Sequence, residues 1–338
     1  MLKLNLQLIL IFYLFCSIAC KKIVVEKPQD LSRDTTLSIP TQQWTKLVNK
    51  NPNNTSYLLE RAKSLVNNDQ LIGLAVRDFQ FLHKKEPENS EFALSYVKLL
   101  FDNKEVKESL QVLNDYTKLN PKDVEALFLQ GKYHYYLTEF EDAILYLNRA
   151  LNLKGTHVES MFFLANSYRD MRDSGQALSL YKKIVEVDPA HYNSVVQIAN
   201  LYAYQKNPDA VDYYNMALRL NEFGLDALYG RAYFYQQMGY IEEAVKDYQQ
   251  IVEINPTHTQ SIYNIAYLNF KKKSWNLAKS QFAKLAELSP TYVPAWYMIG
   301  LCFEAEKNTR KAADYYQKCL QLDASFSKAQ LGLTRLTK

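Results

Sequence analysis

The chain has 338 residues, a formal net charge of +4, 48% hydrophobic residues, nine glycines and ten prolines. That hydrophobic content excludes a disordered chain. The basic residues are spread along the length with no dense stripe, which argues against a nucleic-acid binder. Few turn-formers among many Leu, Ala, Lys, Glu and Gln predict helices joined by short turns. A length prior suggests two domains, but that prior fails when a chain repeats.

The first element is MLKLNLQLILIFYLFCSIACKK, where one lysine precedes an apolar run from Leu6 to Ala19 broken only by Gln7 and Ser17. The run is short for a membrane-spanning helix and right for the core of a signal peptide. Ser17 and Ala19 then precede Cys20. This pattern resembles the lipobox of bacterial lipoproteins, with Ser17 where that family usually has Leu. The resemblance implies a signal peptide over residues 1–19 and a Cys20 thiol that accepts lipid, such as palmitate. It also implies a place in the bacterial cell envelope, anchored by that lipid and facing the periplasm from the outer membrane. The same residues also read as an ordinary signal-peptidase site or as an uncleaved anchor. The next residues, KKIVVEKPQDLSRDTTLSIP, are mostly polar and show no helical period, so 20–40 read as a tether.

A repeat begins after the tether. The segments EDAILYLNRALNLKG (141–155), EEAVKDYQQIVEINP (242–256) and RKAADYYQKCLQLDA (310–324) share a small residue, a bulky one four later and a turn. Set on one register, they define a first small-residue column: Ala62, Val97, Gly131, Ala165, Ala199, Ala232, Ala266 and Gly300. A second runs Ala75, Ser109, Ala143, Ala177, Ala210, Ala244, Ala278 and Ala312. A bulky column follows it by four: Phe79, Leu113, Leu147, Tyr181, Tyr214, Tyr248, Phe282 and Tyr316. Successive members lie 33 to 35 residues apart. This predicts one helix pair per repeat, with small residues where the helices cross and the bulky one beside them. Pro52, Pro87, Pro121, Pro189, Pro256 and Pro290 mark the ends of second helices. One pair cannot bury its apolar stripes alone, so the pairs stack.

These columns, the period and the terminal prolines resemble the tetratricopeptide repeat family over residues 41 to 338. The resemblance implies an all-α fold, an α-solenoid wound as a right-handed superhelix. It would hold a half-repeat over 41–54, eight repeats over 55–324 and a polar capping helix over 325–338. The chain departs from the family at Gly155, Glu222 and Ala324, which replace the terminal proline, and at a loop one residue short around Asn207 and Pro208.

No motif of catalysis stands out. There is no Gly-rich phosphate loop, no nucleophile elbow and no His-Glu-x-x-His. His157, His191 and His258 occupy the same turn in three repeats, too far apart to share a metal, and read as turn residues. Cys302 and Cys319 could form a disulfide in an oxidising envelope, but each sits in a small or apolar helical column, so they read as two buried free thiols. We expect no enzyme activity, no cofactor, no metal, no nucleic-acid partner and no small-molecule substrate.

The chain carries 26 tyrosines, and YGRAYFYQQMGY (229–240) is dense with them. In the resembled family the first helix of each repeat lines a concave surface that takes extended peptides. Here the buried stripe is expected to run through Leu228, Ala232 and Tyr235, leaving Tyr229, Tyr233 and Gln236 turned toward the groove. Carried through the array, the Tyr229 column is Leu59, Leu94, Phe128, Phe162, Val196, Tyr229, Tyr263 and Tyr297. The Tyr233 column is Lys63, Lys98, Lys132, Asn166, Asn200, Tyr233, Tyr267 and Leu301. Tyr135, Arg169 and Tyr204 extend the surface. Tyrosine suits recognition because it combines large contact area with a hydroxyl and few rotors. Asn166 and Asn200 resemble the asparagines that hold peptide backbone in some members of the family. The lysines supply one column of the family's clamp for a terminal carboxylate, not the full set. The expected function is a lipid-anchored scaffold that binds a protein segment in this groove. A glycan-binding envelope lipoprotein and a soluble secreted or cytosolic adaptor are the alternatives.

Overall fold

A computed structural model of the chain describes residues 28–31 and 36–337. The signal segment 1–19, Cys20 and residues 21–27 lie outside the described residues. Among the described residues there are eighteen α-helices and no strand. They form two compact units, one ending at Gly155 and one starting at Thr156. The first contains α1 (Ile39–Lys50), α2 (Thr55–Asn67), α3 (Ile72–Lys85), α4 (Ser90–Asp102), α5 (Val106–Leu119), α6 (Val124–Tyr136) and α7 (Phe140–Leu153). The second contains α8 (Val158–Asp170), α9 (Ser174–Val187), α10 (Tyr192–Tyr204), α11 (Asp209–Leu220), α12 (Leu225–Met238) and α13 (Ile241–Ile254). It continues with α14 (Thr259–Lys271), α15 (Trp275–Leu288), α16 (Val293–Ala305), α17 (Thr309–Leu322) and α18 (Ser327–Leu336). After α1, the helices pair as α2–α3 through α16–α17, eight pairs among the described residues, and α18 follows them.

The columns account for the pairing. All eight bulky residues, from Phe79 to Tyr316, are buried. A Cβ on Gly131 would lie 2.4 Å from the Leu147 side chain, so the first helix can approach only because no side chain stands there. The short loop at Pro208 shortens α11 to 12 residues, against 14 in the other second helices.

Two kinds of turn join the helices. Inside every pair one residue is left-handed: Gln70, Lys104, Thr138, Arg172, Lys206, Gly239, Lys273 and Lys307. The next N–H reaches back five residues, as from Tyr240 to the Tyr235 carbonyl at 2.9 Å, or six in the first pair, from Leu71 to Leu65 at 2.9 Å, which closes the helix end. Between pairs, the residue before the first helix caps it with its side chain in six pairs; Gly224 and Tyr292 do not. Asn54, Asn89 and Asp123 accept the N–H of Tyr57, Phe92 and Ala126. His157, His191 and His258 fill the same role through Nδ1, accepting from Ser160, Ser194 and Ser261 at 3.3, 3.2 and 3.3 Å. The three histidines are therefore turn residues with a defined task.

Two ion pairs share one register. Arg61 Nε and Nη2 donate to Asp78 at 2.8 and 2.6 Å, with both side chains buried. Arg231 makes the same fork to Asp247 at 2.8 and 2.7 Å. Nothing in the sequence pattern singled these out. Cys302 and Cys319 are free and buried, and burial pushes their thiols up to about 12 and about 11.

The tether differs from expectation. Leu31 and Leu37 are buried in the core of the first unit, and α1 begins at Ile39, inside the span read as a tether. Ser38 N–H donates to Asp69 at 2.7 Å. The last part of the polar stretch is thus packed, because its two leucines find apolar cover on the first pair.

Candidate functional site

The site builds up from Gly230, in the middle of α12. A Cβ there would lie 2.6 Å from the ring and hydroxyl of Tyr214. The glycine lets the Tyr214 ring pass under α12, and its hydroxyl donates to Asn200 Oδ1 at 2.7 Å. Burial pushes the Tyr214 phenol well above its ordinary value, so it stays a neutral donor.

Between α10 and α12 this leaves a cavity of about 390 Å³. Its floor is Tyr214, Gly230 and Phe234; its walls are Asn200, Ala203, Tyr204, Tyr229 and Tyr233; Lys206, Gln237 and Met238 form the rest of the lining. Tyr204 is 85% exposed and Tyr233 48% exposed. The Asn200 carbonyl is taken by Tyr214, so the group it can offer a ligand is its NH2, a donor. The arrangement suits an apolar side chain between two tyrosines with a backbone carbonyl at Asn200. Four of the expected groove residues, Asn200, Tyr204, Tyr229 and Tyr233, meet here.

Residues 158–191 and 225–258 match one tetratricopeptide repeat family model, and residues 293–326 match another. These segments are tetratricopeptide repeats. Among curated proteins, none matches this sequence. Solved structures do resemble it. The C-terminal part of a TPR repeat-containing protein from Cytophaga hutchinsonii aligns over 71% of this chain and 98% of its own, at 18% identity and a TM-score of 0.61. Cut9–Hcn1, from the APC/C hetero-tetramer, aligns over 87% of this chain and 58% of that one, at 15% identity and a TM-score of 0.53. YrrB, described as a TPR protein with an unusual peptide-binding site, aligns over 56% of this chain and 97% of its own, at 20% identity and a TM-score of 0.47. For the first two, at such identities, the likeness is one of fold: an all-α tetratricopeptide solenoid.

Within these tetratricopeptide repeats the Tyr229 column turns out to be packing. Phe162, Tyr229, Tyr263 and Tyr297 are half-buried. Each meets the bulky residue of its own pair: Tyr181, Tyr248, Phe282 and Tyr316, at 5.9, 5.6, 5.4 and 5.5 Å between centroids. Each also meets the residue that starts the next first helix: His191, His258, Tyr292 and Phe326, at 5.3, 5.8, 5.9 and 5.5 Å. Burial pushes the Tyr263 phenol up to about 12. Where the column holds the smaller Val196, the next helix starts at Gly224, and a Cβ there would collide with the Tyr192 hydroxyl. The column therefore packs neighbouring repeats together.

Other expectations need correction. Phe128 is buried, so it offers no groove surface. Asn166 is 6% exposed, and its carbonyl accepts the Tyr181 hydroxyl at 2.5 Å. It serves the second helix rather than a ligand. Tyr235 is half-buried, while Phe234, not assigned to the stripe, is buried. Arg169 is half-buried and donates to Asp170 at 2.8 Å and Gln197 at 2.9 Å. Tyr267 stacks on Tyr263 at 6.2 Å and 9°.

In the first unit the lysines are engaged. Lys63 pairs with Glu91 at 2.8 Å and Lys98 with Glu125 at 2.9 Å. The Glu91 carboxylate holds the Lys63 ammonium above its ordinary value. Lys132 lies 5.9 Å from both the Phe128 and Tyr136 rings. Tyr135 is half-buried against Tyr136 and Phe140. A cavity of about 540 Å³, lined by Lys98, Phe101, Asp102, Leu129, Lys132, Tyr133 and Tyr136, sits beside them.

Gly230, Phe234, Gln237 and Met238 were missed as site residues. The signal available for Gly230 was a glycine in a helix interior, which marks a close approach.

Proposed function

We propose that this chain is a non-catalytic protein-interaction scaffold that binds an extended protein segment between α10 and α12. The observation that carries this reading is the cavity under Tyr204 and Tyr233, where two exposed tyrosines flank an apolar floor. Tetratricopeptide repeats support a protein partner, and tyrosine is well suited to recognition at low entropic cost. Two large apolar side chains left in water are otherwise unfavourable, and a partner that covers them recovers that burial. We further propose that lipid on Cys20 holds the scaffold in the bacterial cell envelope, as the lipobox-like sequence suggests.

The test is a comparison of the wild type with the double variant Tyr204→Ala and Tyr233→Ala in partner cross-linking from membranes. Partners should be lost while the melting temperature stays within about 2 °C, since neither side chain supports the core. Retention of every partner would sink the site assignment. Cys20→Ala should abolish palmitate labelling and membrane fractionation; a variant that still labels would refute the anchor.

A further inference from the structure

We propose that residues 28–31 form a latch that closes the outer side of the first helix pair and fixes the point where the anchored chain enters the fold. Arg61 is buried, and Asp78 takes two of its nitrogens. The third, Nη1, donates to the backbone carbonyl of Gln29 at 2.9 Å. At the matching register of the second unit, Arg231 Nη1 donates to the side chain of Asn215, on the second helix of the preceding pair. The backbone at Gln29 thus does for the first pair what a preceding pair does for a later one. The seat has further holds. Leu31 joins the core cluster that includes Leu58, Leu65 and Phe79. Arg77 donates to the Gln29 side chain at 2.5 Å, and Asn49 to Asp30 at 2.8 Å.

The latch changes the geometry of anchoring. A tether running from Cys20 to Ile39 could span about 65 Å, whereas eight residues from Cys20 to Pro28 span at most about 28 Å. The first pair is then held beside the bilayer, with one end set by the seat. This second step rests on the lipid-anchor reading; the seat itself does not.

The test uses the full chain. Leu31→Asp should unseat the latch and speed amide exchange over residues 55–85 at least tenfold, leaving residues 225–336 unchanged. Leu31→Met should behave as wild type. Unchanged exchange in Leu31→Asp overturns the latch. For the membrane step, a dye at Lys46→Cys on the lipidated protein reports on a headgroup quencher in vesicles. Twelve Gly/Ser residues inserted between Lys27 and Pro28 should cut quenching at least threefold. Equal quenching with and without the insert overturns the orienting role. If Cys20→Ala quenches as well as wild type, the anchor reading fails while the exchange result stands.

Discussion

Gly332 of α18 lies flat against the ring of Tyr316: a Cβ on the glycine would sit 2.6 Å from the ring. Gly300 presses on the other ring edge at the same 2.6 Å. The ring is fully buried, and its hydroxyl donates to Glu304 at 2.5 Å. Gly332→Val must push α18 outward, because the aromatic ring cannot yield. The expected loss is about 1–3 kcal/mol in urea unfolding. Unfolding curves matching wild type would mean that α18 docks elsewhere.

The same corner predicts a pH effect. The Arg335 guanidinium donates to Glu304 at 2.5 and 2.8 Å and, as its strongest influence, holds that carboxyl below the ordinary glutamate value. A depressed folded value means that the unfolded chain takes up the proton first. The contribution is present above the unfolded value of about 4.5 and fades as pH falls through the folded value. Arg335 is largely exposed, so the contribution is under about 1 kcal/mol. Wild type should lose melting temperature more steeply than Glu304→Gln below pH 4.5; parallel curves would rule the pair out.

Arg231 and Asp247 form the partly buried counterpart of Arg61 and Asp78. Arg231→Met leaves the Asp247 carboxylate, 5% exposed, without its fork, and should cost about 3–5 kcal/mol. Adding Asp247→Leu should recover most of that, since other pairs hold Leu164 with Leu180 or Ile299 with Tyr315 at these positions. A double variant as unstable as the single one would show that the fork itself is required.

Histidine caps can be tested by exchange for the residue used in the first unit. His191→Ala should cost about 1 kcal/mol more than His191→Asn, because both lose the Phe162 ring contact while Asn keeps the cap that Asn54 and Asn89 make in equivalent helices. Equal melting temperatures for the two variants would remove the capping role.

Gly239 has φ +86, where seven other pairs hold a side-chain-bearing residue. Gly239→Ala should lose about 1 kcal/mol in thermal unfolding, and Lys273→Gly at the matching turn should lose nothing. A stabilised Gly239→Ala would show that chain entropy outweighs backbone strain there.

Much of this protein is legible as local periodicity. The spacing of Ala62, Ala165 and Ala232, with Phe79, Tyr181 and Tyr248 behind them, sets helix pairs at fixed register, because a helix turns each residue by about 100° and small residues permit close crossing. The columns alone therefore specified the all-α class and the pairing of the helices. Surface and core within a first helix were not decided that way. Tyr229 and Tyr233 look alike in sequence, yet one is wedged between Tyr248 and His258 and the other stands in water. Asn166 and Asn200 share a column, yet one is buried and the other is exposed beside a cavity that Gly230 opens one repeat later. Leu31 lies in a polar stretch without period, and only the exposed end of the first pair gives it a place to bury. In each case the outcome depends on what a residue distant in sequence presents, and that is settled by packing rather than by the local pattern.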